Sequence, residues 1–202
     1  GKFTMPGSAV TVSAKFKKKM TNKDITEVAI DPITFSGSEI TPKPVVKDGD
    51  KTLKEGVDYT LSYSSNTDAG TATITITGIG DYSGTVTVTF DIEKADATMT
   101  APTAKTGLVT NGKAQELITA GSAEGGEMQY SLDGTNYSTT LPTGTESKEY
   151  TVYYKVVGDK NHNDVAAQSQ KVVISKIAST GIAFVESEAV AIIGETNEFP
   201  EL

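Results

Sequence analysis

The chain of 202 residues has no cysteine and no tryptophan, and its 18 basic residues are all lysine, with no arginine anywhere. Without cysteine there is no disulfide framework and no thiolate to act as ligand or nucleophile. Extracellular proteins can do without disulfides, so compartment stays open on this count. Without arginine, and with a net charge of −8, the chain lacks both the positive field and the planar fork with which proteins hold phosphate and read guanine. Nucleic acid is therefore not an expected partner. The one basic run, Lys15 with Lys17, Lys18 and Lys19, reads as a solvated strand end. A single histidine, His162, leaves zinc without the His or Cys partners it needs. A Ser-His-Asp set would have to run through that one residue, with no G-x-S-x-G elbow to present a serine. No apolar run reaches the ~18 residues of a membrane span. Helical periodicity is missing as well, apart from a short turn at Ala114 to Ile118.

What the sequence does have is period two. Ala72, Ile74 and Ile76 alternate with Thr71, Thr73, Thr75 and Thr77, and then Val86, Val88, Phe90 and Ile92 alternate with Thr85, Thr87, Thr89 and Asp91. Successive side chains on a strand point to opposite faces, so this spacing buries one face and wets the other. β-Branched residues suit the pleat on both. The run from Gly78 to Gly84 is rich in turn formers and joins the two arms as an antiparallel pair. Tyr59, Leu61 and Tyr63 alternate ahead of it, and Pro42 and Pro44 mark edge strands or loops, since proline lacks a ladder donor.

The plan then repeats. Val109-Thr110-Asn111-Gly112 echoes Phe35-Ser36-Gly37, Gly158-Asp159 echoes Gly80-Asp81, and Ile174-Ser175-Lys176 echoes Ile92-Glu93-Lys94, at offsets of 75, 78 and 82 residues. A period drifting near 80 means tandem modules with small insertions. Met128, Tyr130 and Leu132 form one alternating arm of the second module; Tyr150, Val152, Tyr154 and Val156 form another, paired with Lys171 to Ile174. Modules of this size bury only about 60% of their unfolded surface, so each has a modest core.

Phe35, Gly37, Ile40 and Pro42, then Leu53, Gly56, Asp58, Tyr59 and Tyr63, then Gly70, Gly78, Gly80, Tyr82, Gly84, Phe90 and Ile92 follow one another in the order of an Ig-like repeat common in bacterial surface proteins. Residues 23 to 94 resemble that repeat, whose shared residues are framework. The run AQELITAGSAEGGEMQYSLDGTNYS, continuing to YTVYYKVVGDKNHND, resembles a second Ig-like type found in tandem on surface proteins of gut bacteria. The opening TMP-x-x-x-VTV-x-A-x-F is similar to the end of an internalin-type B-repeat, and the stretch after Ile177 is similar to the start of a group-two bacterial Ig-like domain. The resemblance implies an all-β protein of two tandem Ig-like β-sandwich domains with antiparallel, Greek-key-like sheets. The expected boundaries are 1–21 for the terminal strands of a preceding module, 22–95 and 96–177 for the two domains, and 178–202 for the first strands of a following one. Both fragments are expected to pack on, or pair with, the complete domains, because exposed apolar strand edges invite aggregation. The chain opens on Gly1-Lys2-Phe3 within a strand pattern, with no leader in view, and is expected to be cut from a longer one. The resemblance also implies that Tyr82 plugs the end of its sandwich, its hydroxyl bonded to backbone.

Site chemistry is sparse. Asp159, Asn161, Asn163 and Asp164 place oxygens at intervals as calcium loops do, but the sixth position is Asp164 where a glycine should turn the chain, and the twelfth is Gln170 where a bidentate glutamate should stand. A polar hairpin loop is the plainer reading, and His162 within it reads as an exposed loop residue. Tyr137 and Tyr153 are the candidates for a sugar- or protein-binding platform, an apolar ring with a polar tip; Tyr153 lies out of phase with the inward set. Lysine and aspartate are plentiful, but no spacing selects a pair for an isopeptide link. Asn136-Tyr137-Ser138 matches a glycosylation acceptor, which has little force in a bacterial protein. No cofactor and no catalytic residue is expected. The expected role is a non-enzymatic stalk or spacer of a bacterial cell-surface protein, extracellular and monomeric, whose partners are its neighbouring Ig-like modules. The alternative is an adhesive module for host protein or glycan.

Overall fold

The computed structural model describes residues 14–22, 25–27 and 29–178; the strands expected around Val10 and Val12, and from Ile182 to Phe199, lie outside them. Among the described residues there is no helix, and the protein is all-β. The first half holds β1 (Lys18–Lys19), β2 (Ile25–Glu27), β3 (Ile33–Thr34), β4 (Val46–Asp48), β5 (Lys51–Thr52), β6 (Tyr59–Ser64), β7 (Gly70–Gly78), β8 (Tyr82–Ser83) and β9 (Thr85–Glu93). The second holds β10 (Ala95–Asp96), β11 (Thr98–Thr100), β12 (Thr103–Ala104), β13 (Leu108–Val109), β14 (Gln115–Glu116), β15 (Ile118–Thr119), β16 (Ser122–Glu124), β17 (Gly126–Ser131), β18 (Thr143–Gly144), β19 (Glu149–Gly158), β20 (His162–Asn163) and β21 (Val165–Ser175).

One sheet plan occurs twice: four strands in the order β3-β9-β7-β6, then four in the order β13-β21-β19-β17. In the first sheet Ala72 lies opposite Phe90, Ile74 opposite Val88 and Ile76 opposite Val86. All six are at most 5% exposed, so the period-two reading put the right face inward. Val46, Leu53 and Ile40 close over that face, and the core stays separate from a second one built on Leu117, Ile118, Val152, Val156, Val172 and Ile174. In the second sheet Tyr150 pairs with Val172 and Val152 with Gln170, and the register shifts between Tyr154 and Val156. The covering strands are a three-stranded sheet in the first unit and the pairs β11-β16, β12-β15 and β14-β18 in the second.

The sheets are not purely antiparallel. β3 runs parallel to β9, β13 to β21, β1 to β8 and β10 to β20. A parallel pair needs a long crossover between its strands, and β3 and β9 are separated in sequence by β4, β5, β6, β7 and β8. The repeat is most visible at Gly37 and Gly112, with φ of +76° and +74°. Each follows the end of such a parallel pair, where only glycine adopts the left-handed turn without strain.

Four expectations need correction. The turn at Ala114 to Ile118 is extended, because Gln115–Glu116 and Ile118–Thr119 pair with strands elsewhere and tertiary pairing outweighs a weak local preference. Leu132 does not complete the inward set of Met128 and Tyr130. The hydroxyl of Ser131 accepts from the N–H groups of Asp133 and Gly134, the chain turns off the strand, and Leu132 is left 43% exposed. Gly158 corresponds to Gly78 rather than Gly80: each ends its long strand against the returning chain, where a Cβ would meet Ser83 at Gly78 and Asn163 at Gly158. Tyr82 is buried as expected, but its hydroxyl donates to the Asp48 carboxylate at 3.1 Å rather than to backbone. The tyrosine of the first unit that donates to a backbone carbonyl is Tyr63, to Pro42 at 2.9 Å.

Phe90, 3% exposed at the centre of the first core, should be costly to truncate. Phe90→Ala is expected to lower the unfolding free energy of the first unit by about 3–5 kcal/mol, measured by equilibrium urea denaturation; a loss under about 1 kcal/mol would mean that the core does not depend on this face.

Candidate functional site

The most developed polar constellation lies where the first unit hands over to the second. β9 ends at Glu93, Lys94 follows, and β10 runs straight onto β20 in the second unit's hairpin. Ala95 N–H donates to the Asn161 carbonyl at 3.0 Å and Ala97 N–H to that of Asn163 at 3.4 Å. The Lys94 ammonium donates to the carbonyls of Asp159 and His162, at 3.1 and 3.3 Å. The hairpin tip is shaped by Asp159, whose Oδ1 accepts the Asn161 N–H and faces His162 Nδ1 at 2.7 Å. An aspartate bonding the backbone two residues on is an Asx turn. His162 and the Asn161 N–H together hold the Asp159 carboxyl below the usual range.

From that tip Asn161 reaches back to the first unit. The residue is only 7% exposed. Oδ1 accepts the Ala69 N–H at 2.9 Å and Nδ2 donates to Asp68 Oδ1 at 3.0 Å. The other Asp68 oxygen takes Lys160 Nζ at 2.7 Å. Lys160 first, then the Asn161 amide, keeps the Asp68 carboxyl below its ordinary value. Beside them the Phe35 ring meets the His162 ring edge-on, with centroids 5.3 Å apart and planes at 82°. The Lys160–Asp68 pair is exposed on both sides and contributes little by itself. The buried amide matters more, because removing it strands the Ala69 N–H and one carboxylate oxygen without partners.

The four calcium candidates lie in this joint. Asn161 is spent on Asp68 and Ala69, and Asp159 on its own turn. Asn163 Nδ2 donates to Asp96 Oδ1 at 2.9 Å. Asp164 Oδ1 accepts the Gly158 N–H at 2.8 Å. Among the described residues no group of three or more His, Asp or Glu side chains could hold a metal ion. His162 is not an exposed loop residue: its side chain is 20% exposed, packed by Phe35 from the neighbouring unit. The platform candidates lie elsewhere, on the outer face of the second sheet. Lys155 Nζ sits 4.5 Å above the Tyr137 ring, and Gly134 lies close against the ring of half-buried Tyr153.

Sequence reasoning missed Asp68, Ala69 and Phe35 as a socket and Asn161 as the peg. A faint signal was present. The first hairpin carries Gly80-Asp81 where the second carries Lys160-Asn161, a change from a flexible, acidic tip to one that can both donate and accept. No family model, curated protein or solved structure matches the chain.

Two outcomes follow. Asn161→Ala should weaken the joint by about 1–3 kcal/mol, read as faster hydrogen exchange at the Ala69 amide; an unchanged rate would show that the peg does not hold the joint. Because the folded-state Asp68 carboxyl titrates below its unfolded value, its contribution is fully present above the ordinary carboxylate range and is lost as pH falls through the lowered value. Protection of the Ala69 amide should therefore persist at pH 5 and decay only below about pH 3.9, followed by amide exchange across an acid titration.

Proposed function

We propose that the chain is a run of tandem Ig-like β-sandwich repeats acting as a non-enzymatic stalk or spacer in a bacterial cell-surface protein, outside the cell, where it holds another domain away from the envelope. The observation that carries this reading is the direct handover from β9 through Lys94 to β10, pinned on both sides. A linker of one residue between paired strands, with Asn161 buried between the units, limits the bending that a flexible linker would allow. Each unit keeps its own core, so beads can be added without repacking their neighbours. The partners of each unit are then its neighbours in the chain, and the particle is monomeric. The absence of Arg and the acidic balance suit an exposed, soluble surface.

Small-angle scattering of the full chain tests the reading. An elongated particle is expected, with a pair-distance curve that broadens in Asn161→Ala; a compact globule would sink the stalk.

A further inference from the structure

The corner that receives Asn161 in the first unit is the short turn from Ser65 to Ala69, between β6 and β7. The matching connection in the second unit, between β17 and β19, runs from Leu132 to Lys148. Long connections without regular structure in a compact unit are either disordered or functional. This one is built. Asp133 accepts from the Ser131 hydroxyl, the N–H groups of Thr135 and Asn136, and the Asn136 side-chain amide, at 2.6 to 2.8 Å. Ser138 exchanges two backbone bonds with Tyr130. Thr143–Gly144 pairs with Gln115–Glu116, Pro142 accepts from Leu117 N–H, and the Tyr150 hydroxyl both accepts from the Glu146 N–H and donates to its carbonyl.

The loop so ordered surrounds two shallow cavities that share one wall. Leu132 and Asp133 line both. On one side lies a space of about 440 Å³ with Leu141 and Pro142 as apolar lining and Asn136, Ser138 and Thr140 at its rim. On the other is a space of about 330 Å³ reached by Tyr153, Tyr150 and Thr151. The hydroxyls of Ser138, Thr140 and Thr143 have no hydrogen-bond partner among the described residues. The lysines around them are already paired, Lys148 with Glu146 and Lys171 with Glu149, each at 2.7 Å, and the Asp133 carboxylate is taken up by neutral donors of its own loop. What is left for a ligand is an exposed apolar ridge, Leu132, beside neutral hydroxyls and the side-chain oxygen of Asn136, whose amide nitrogen is held by Asp133.

We propose that the loop from Leu132 to Lys148 is a binding site for a neutral carbohydrate, with Leu132 against the apolar face of a sugar ring and Asn136, Ser138 and Thr140 bonding its hydroxyls. An anionic ligand would find no unpaired cation among the lining residues, and the Asp133 oxygens already accept four hydrogen bonds from their own loop. A sugar chain instead presents both features that the site answers, C–H faces and hydroxyls that donate and accept. Tyr153, with one face against Gly134, offers an edge and a hydroxyl to the next sugar in the second cavity. The site is independent of the joint and would operate whether or not the units form a rigid stalk.

Native affinity electrophoresis of the full chain through gels containing β-glucan, xylan, mannan or galactan tests it. Retardation is expected in at least one gel, weakened at least about tenfold, equivalent to about 1.4 kcal/mol, in both Leu132→Glu and Ser138→Arg. It should be unchanged in Thr87→Lys on the outer face of the first sheet, with all three variants checked for an unaltered melting temperature. No retardation in any of the four gels would overturn the proposal, as would retardation that both loop variants retain. Selection of a peptide from a random library at this loop, with no polysaccharide retarding the chain, would overturn it in favour of a protein partner.

Discussion

The antiparallel pairing of β7 with β9, repeated as β19 with β21, is the interaction from which each unit hangs. The hairpin supplies most of the inward face, from Ala72, Ile74 and Ile76 opposite Phe90, Val88 and Val86. Besides carrying β6 or β17 on its first arm, it supplies the unit's two parallel attachments. Its tip takes the incoming chain, β1 on β8 and β10 on β20, and the end of its last strand takes β3 or β13 in parallel. A slip of one residue in this ladder would turn every apolar side chain outward and move both docking edges at once.

That arrangement explains why the joint is where it is. The last strand of one unit ends beside the first strand of the next, and the tip that accepts the lead-in strand also faces back along the chain. Small polar changes at the tip then decide how tightly neighbours are held. Asn161 is buried with every amide group that faces the neighbour satisfied. At the corresponding tip of the first unit Asp81 is exposed and pairs with Lys15. An amide can donate and accept within one buried contact, whereas a carboxylate only accepts and carries a charge that burial penalises.

The outer faces show how much freedom the fold leaves. On the first sheet Thr77 lies between Thr60 and Thr85, Thr75 between Ser62 and Thr87, and Thr73 between Ser64 and Thr89, all without charge. On the second the same face carries Glu127, Lys155, Glu149 and Lys171. Both serve, because an antiparallel sheet with one wet face asks only for residues that fit the pleat and stay hydrated. The long loop of the second unit draws on the same freedom, adding structure at an end where the core asks for nothing.

Alternation by itself determined the strand class, the inward faces of both hairpins and the repeat, since burial of every second residue is a local property of the chain. The glycine at Gly37 and again at Gly112 announced its turn for the same reason: the requirement belongs to one residue's backbone. Other features depended on segments distant in sequence and could only be decided in three dimensions. The parallel pairing of β3 with β9 joins strands that β4 to β8 separate in the chain. Asn161 meets Asp68 and Ala69 across the boundary between two repeats, and His162 finds Phe35 there. Leu132 continued the alternating pattern in the sequence, yet a serine hydroxyl bonding two N–H groups ahead of it turned the chain and left it facing solvent. Periodicity records which face is buried. It does not record what the exposed ends of the strands will meet, because those contacts carry no period.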